Sequence, residues 1–280
     1  MNLPLIIEPQ ELESHLGDEN ILIISVDAEH RYLERHIPTA INCSYLDLIK
    51  RGKFAQGLLP DVDSISRSFA ELGITYDKHI VAYDDEGCGR SSRLLWVLDV
   101  IGHQNYSLLN GGLNSWSKEG YPLHAMPTFA KASTFTVKQE PQTIVDKDYV
   151  LKHLDDPNVI LLDGRSHNEY IGLQPLAKRS GHIPGAKNLD WNYTKDLRRN
   201  GRFKSAETLL PVLKSLGVSK DKEIIVYCQT CHRSCHTFVL LKSLGFDNIK
   251  AYAGSWSEWG NCDDTPIVQI ESPDNDLDDF

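Results

Sequence analysis

Long apolar runs are missing from this chain of 280 residues. Nowhere do about 18 apolar residues follow one another, which excludes a membrane-spanning helix. The opening Met1-Asn2-Leu3-Pro4 has neither the basic region nor the apolar core of a secretory signal, so a cytoplasmic location is expected. Positive charge is short as well: 29 Lys and Arg against 39 Asp and Glu leave a formal net charge of −10. Nucleic acid and membrane surfaces, both anionic, are thereby excluded as general partners, and an anionic substrate has to be met by local charge. Methionine is limited to Met1 and Met126. The six cysteines, at 43, 88, 228, 231, 235 and 262, are too unevenly spread to staple a chain of this length. Free thiols in a reducing compartment are expected.

What is present is enough apolar content, 41%, to fill one large or two ordinary cores. An internal duplication decides between them. His36-Ile37-Pro38-Thr39-Ala40-Ile41-Asn42 returns as His182-Ile183-Pro184-Gly185-Ala186-Lys187-Asn188, Leu72-Gly73-Ile74 as Leu216-Gly217-Val218, and Ile80-Val81-Ala82-Tyr83 as Ile224-Ile225-Val226-Tyr227. The copies lie 146, 144 and 144 residues apart, far beyond the roughly 20–50 residue period of solenoid repeats, which means two homologous domains. Residues 1–122 form the first and 144–270 the second. Between them 123–143, with Pro127 and Pro141, has no clear period and is expected to be a surface linker, while the acidic 271–280 is expected to be a disordered tail.

Short apolar strands alternate with helical stretches in both halves. In the first, the strands are Ile21 to Val26, Ile80 to Tyr83 and Tyr106 to Leu109, with helices near Ser64 to Leu72 and Ser92 to Ile101. The second repeats them with strands Val159 to Leu162, Ile224 to Tyr227 and Ile249 to Tyr252 and helices Ala206 to Leu216 and Cys235 to Leu244. This alternation predicts an α/β fold with a mainly parallel sheet flanked by helices in each domain, and ligand sites at the carboxyl ends of the strands.

Cys228 stands at such an end, where the strand Ile224 to Tyr227 hands over to the helix after Ser234. Main-chain N–H groups and the positive end of the helix dipole there favour a thiolate, which makes Cys228 a candidate nucleophile. Between Cys228 and Arg233 lie four residues, Gln229, Thr230, Cys231 and His232. A protein tyrosine phosphatase-like loop has five, so this ring of amides is narrower and suits one extra sulfur atom better than a phosphate. In the first half Asp84 holds the place of Cys228.

Tyr-Cys-Gln-Thr-x-x-Arg-Ser between strand and helix resembles the active-site loop of rhodaneses, sulfurtransferases that carry sulfane sulfur as a cysteine persulfide. The likeness covers nearly the whole chain: two-domain rhodaneses are built from such a duplication, with the working cysteine in the second domain only. It implies two tandem rhodanese-like domains and a Cys228 thiolate that attacks the outer sulfur of thiosulfate. Sulfite then leaves, and the persulfide passes its sulfur to cyanide, a thiol or a protein acceptor. The amides of Gln229 to Arg233 would stabilise the persulfide, each worth about 3 kcal/mol in a dry site. No metal or organic cofactor is required. Arg233 either orients the donor or turns inward to a carboxylate, the second being favoured. His232 is expected at the pocket mouth, where partial positive charge attracts thiosulfate. Arg165 is a possible substrate-orienting cation, with Asp163 bonded to nearby loop amides.

Thiosulfate-preferring animal enzymes have a lysine where this chain has Thr230 and an arginine where it has Glu169, and the Gly-Ser-Gly-Val-Thr type of loop of mercaptopyruvate-preferring members is absent. The loop is most similar to that of bacterial thiosulfate:cyanide sulfurtransferases. The alternatives are a 3-mercaptopyruvate sulfurtransferase, a sulfur carrier without turnover, and a thiol redox module in which Cys228 and Cys231 close a disulfide. A c-type haem at Cys228-x2-Cys231-His232 lacks export and a second axial ligand, and zinc on Cys228, Cys231, His232, Cys235 and His236 lacks ligands that converge from one loop.

Overall fold

The computed structural model describes residues 3–138 and 142–269. The tail expected at 271–280 and the linker positions 139–141 lie outside the described residues. In the first half, strands β1 (Ile6–Ile7), β2 (Ile21–Ser25), β3 (Ile41–Asn42), β4 (His79–Tyr83) and β5 (Tyr106–Leu109) form one sheet in the order β1-β5-β4-β2-β3. In the second half, β6 (Ile144–Val145), β7 (Val159–Asp163), β8 (Lys187–Asn188), β11 (Glu223–Tyr227) and β12 (Ile249–Tyr252) repeat it as β6-β12-β11-β7-β8, and β9 (Lys195–Asp196) pairs with β10 (Arg202–Phe203) apart from it. Every pairing within the two larger sheets is parallel. The connecting helices of the first half are α1 (Pro9–Glu13), α2 (Glu29–Glu34), α3 (Val62–Glu71), α4 (Gly89–Val100) and α5 (Gly112–Lys118). Those of the second are α6 (Lys147–Lys152), α7 (His167–Ile171), α8 (Ala206–Ser215), α9 (Arg233–Ser243) and α10 (Ser255–Trp259). The α/β reading with two sheets therefore holds.

Alternate residues of a strand face opposite sides, and the apolar runs of β4 and β11 fill both. Ile80 and Ala82 of β4 join Ile224 and Val226 of β11 in one buried cluster, along with Leu94 to Leu98 of α4 and Phe238 to Leu241 of α9. That core is common to both halves, because α4 packs against α9. Val81 and Tyr83 turn instead into a cluster private to the first half, and Ile225 and Tyr227 into one private to the second. The duplication extends to polar detail: the hydroxyl of Tyr83 accepts the N–H of Ile37, and that of Tyr227 accepts the N–H of Ile183.

The expected linker is a strap along the first half. His36 and His124 exchange backbone hydrogen bonds at 2.8 Å, Thr128 N–H reaches the Tyr32 hydroxyl at 2.9 Å, and Phe135 is buried against Phe69 and Tyr76. The lack of a period concealed this, since a buried phenylalanine and scattered main-chain bonds suffice to hold it down.

Candidate active site

β11 ends at Tyr227, and Cys228 follows as a fully buried residue whose sulfur accepts a hydrogen bond from the Ser234 hydroxyl at 3.5 Å. The Cys228 N–H donates to Ser255 Oγ at 3.4 Å and the Cys231 N–H to the same oxygen at 3.1 Å. Ser255 opens α10 with φ of +53°, and Cys231 turns the loop with φ of +54°. Both are left-handed conformations that cost a side chain free energy unless bonding compensates. From Cys228 the chain passes into α9 at Arg233, so the sulfur sits at the amino end of a helix of 11 residues. Among the described residues, the N–H groups of Gln229, Thr230, His232 and Arg233 have no protein acceptor.

The first half displays what such a loop does with its amides. Asp84, fully buried at the end of β4, accepts the N–H of Glu86 at 2.8 Å, of Cys88 at 2.9 Å and of Ser91 at 2.8 Å, and the Ser91 hydroxyl at 2.7 Å. The matching loop 144 residues earlier thus converges on an anion-sized acceptor held by its own chain, as an anion-binding nest does.

Arg233 turns inward. Its guanidinium makes a two-pronged pair with Glu169 at 2.6 and 2.7 Å. Glu169 Oε2 also closes the capping box of α7 by accepting Ser166 N–H at 3.1 Å. Burial alone would push the Glu169 carboxyl up, but the Arg233 hydrogen bonds and charge outweigh it and hold the group below the usual range. This ties α9 to α7.

Two expectations are corrected. Arg165 is 1% exposed and spends its donors on Asp163, at 2.6 to 3.0 Å, and on the Gly181 carbonyl at 2.7 Å, while its plane covers Trp256. It is a girder below the loop, its charge already met by the buried Asp163 carboxylate. Asp163 accepts the Arg165 N–H as well as the guanidinium. His232 is no positive lure: burial pushes its imidazole down to about 4, which leaves it neutral at pH 7. Its ring lies against Gly89 of the first half, 5.5 Å from Tyr45 and 6.0 Å from Trp191.

Sequence reading missed four first-half contributors. Gly57 abuts the Thr230 carbonyl so closely that a Cβ there would lie 1.8 Å from the oxygen, and the neighbouring Gln56 N–H donates to Ser257 Oγ at 3.2 Å. Arg93 of α4, fully buried, donates to the Cys231 carbonyl at 3.2 Å and to the carbonyls of Leu48 and Leu58 at 3.0 to 3.1 Å. Tyr45 borders both His232 and a cavity of about 710 Å³ that opens on the first half beside Asp27, Glu71 and Phe129. No motif marks these residues; each acts across a separation of many tens of residues.

A buried cysteine at a strand-to-helix turn, beside an amide loop whose duplicate holds a carboxyl group, defines a duplicated α/β protein built around a single thiol. The Rhodanese-like domain family matches residues 8–119 and 146–262. Thiosulfate sulfurtransferase of Azotobacter vinelandii is 38% identical over 270 residues, covering 95% of this chain and 97% of that protein. Sulfur carrier protein TtuD of Thermus thermophilus is 32% identical, with 95% and 97% covered. Among solved structures, SseA of Escherichia coli, a 3-mercaptopyruvate sulfotransferase with the rhodanese fold, superposes with a TM-score of 0.81 at 26% identity, covering 91% of this chain and 99% of that one. The chain belongs to the rhodanese-like family and is a sulfurtransferase.

Proposed function

We propose that the chain moves sulfane sulfur from thiosulfate to cyanide or a thiol through a persulfide on Cys228, with 144–270 as the catalytic unit and 1–122 as its non-catalytic partner. The Cys228 thiolate attacks the outer sulfur of thiosulfate, the S–S bond breaks and its electron pair leaves on sulfite. The acceptor then attacks the same outer sulfur and returns Cys228 as thiolate. Gln229, Thr230, Cys231, His232 and Arg233 form the loop around the persulfide, and Arg233 acts through Glu169 as a positioning residue. The observation that carries this reading is the quartet of bonds on Asp84. A loop of this build gathers donors on an acceptor at its strand end, and in this reading the outer sulfur of the Cys228 persulfide takes that place in the second half. Thiosulfate as donor draws support from the relative of Azotobacter vinelandii that bears the name. The six cysteines, free among the described residues, fit a reducing compartment such as the cytoplasm.

Intact mass spectrometry tests it. Thiosulfate should add one sulfur atom, cyanide should remove it, and Cys228→Ala should take up none. Uptake by Cys228→Ala removes Cys228 from the chemistry. A second reading, delivery to a protein acceptor without multiple turnover, is favoured by the relative named a sulfur carrier. A persulfide that survives cyanide and yields only to a protein thiol selects it.

A further inference from the structure

The thiols of Cys231, within the loop, and Cys235, just after it in α9, carry no sulfur in the transfer proposed for Cys228. Cys231 Sγ and Cys235 Sγ lie 3.8 Å apart, both fully buried, and Cys235 Sγ is also 2.9 Å from the Cys231 carbonyl, so its one proton can turn to either acceptor. Beside them is Arg93, a buried guanidinium with no carboxylate partner among the described residues. Its hydrogen bonds to Leu48, Leu58 and Cys231 carbonyls account for four of its five N–H donors, and the fifth sits on the Nη1 that reaches Cys231. An unpaired buried cation is costly; among the described residues the Cys231 and Cys235 thiols and the Tyr45 phenol face it, and burial pushes the phenol up, which leaves a thiol to balance the charge by losing a proton. In line with that, the hydrogen bond from Cys235 and then the Arg93 charge draw the Cys231 thiol down to about 7, while burial drives Cys235 far up.

We infer that Cys231 and Cys235 are a second sulfur site: a nucleophile beside Arg93 and its resolving thiol, which close a disulfide with each other, and not with Cys228, on oxidation by hydrogen peroxide. The Cys231 thiolate attacks one peroxide oxygen, the O–O bond breaks, and hydroxide leaves with a Cys231 sulfenic acid formed. Cys235 sulfur then attacks Cys231 sulfur, the S–O bond breaks, and the Cys235 proton departs with the oxygen as water. Two electrons pass from the thiol pair to one peroxide. Because both sulfurs are fully buried, the oxidant that reaches them is small and neutral. Closure from 3.8 Å to the roughly 2.05 Å of a disulfide tugs the left-handed turn at Cys231, whose N–H shares Ser255 with Cys228. Sulfur uptake at Cys228 therefore falls until a dithiol reductant reopens the bond.

Trypsin separates the outcomes. Cleavage after Lys222, Arg233 and Lys242 leaves Cys228 and Cys231 on peptide 223–233 and Cys235 on peptide 234–242. After peroxide, alkylation and digestion without reductant, the full chain is expected to yield 223–233 joined to 234–242, and Cys228→Ala to yield the same joined pair. A bridge internal to 223–233, or a joined pair that vanishes in Cys228→Ala, overturns the assignment, as does peroxide treatment that oxidises Cys228 to sulfinic acid while leaving both other thiols alkylated. None of these readouts depends on whether Cys228 carries sulfur.

Discussion

Ser255 holds a backbone conformation that favours glycine, and its hydroxyl oxygen receives two buried N–H groups. The duplicate position, Gly112, has the same left-handed turn at φ of +58° without a side chain, so the hydroxyl is an addition of the second half. Ser255→Ala leaves both N–H groups unsatisfied, at about 1–3 kcal/mol for each buried donor. Both a lower denaturation midpoint and slower loading of Cys228 from thiosulfate are expected; full loading speed would show that the oxygen does not shape the loop. His232 yields a prediction in pH. Its folded value of about 4 lies below the ordinary 6.5, so the unfolded chain binds the proton more readily between them. The contribution of His232 to stability is complete above pH 6.5 and disappears as pH falls through 4. In ring NMR, the His232 signals should stay those of a neutral imidazole down to pH 5; a midpoint near 6.5 would return the positive lure to consideration.

Among elements, the segment around Gly57 matters most. The space left between it and Thr230 admits no Cβ, so Gly57→Ala in the non-catalytic half must displace the loop or the segment. A shift of about 1 Å at a reacting group can cost on the order of 100-fold, and a fall in kcat of that size is expected with circular dichroism unchanged. Wild-type turnover would mean that the first half does not bear on the loop. The elements themselves were largely legible: β5 and β12 have the bounds that their apolar runs suggest, and α9 begins two residues before the first apolar position, Cys235. What could not be read were unions across distance. Glu169 stands out in the sequence as a missing arginine, yet its role as partner of Arg233 requires knowing that α7 lies beside α9. Arg165 misled because a charge after a strand end points to a site only when no nearer carboxyl claims it, and Asp163, two residues away, does.

At the scale of the molecule the central fact is the interior held in common by α4 and α9. Leu98, fully buried within it, should cost about 2–5 kcal/mol when cut to alanine. Urea unfolding followed by the tryptophans of both halves, Trp116 and Trp259 included, is expected to remain a single transition, lowered as a whole. Two separated transitions would mean that the halves stand alone. The interior also bears on ancestry. A chimaera that takes its earlier half from one relative and its later half from another would bring together surfaces that had never met, and Arg93 would face a turn shaped for some other neighbour. Crossovers between such genes should survive when they fall outside the pair, so that the two copies, once duplicated, are inherited as one.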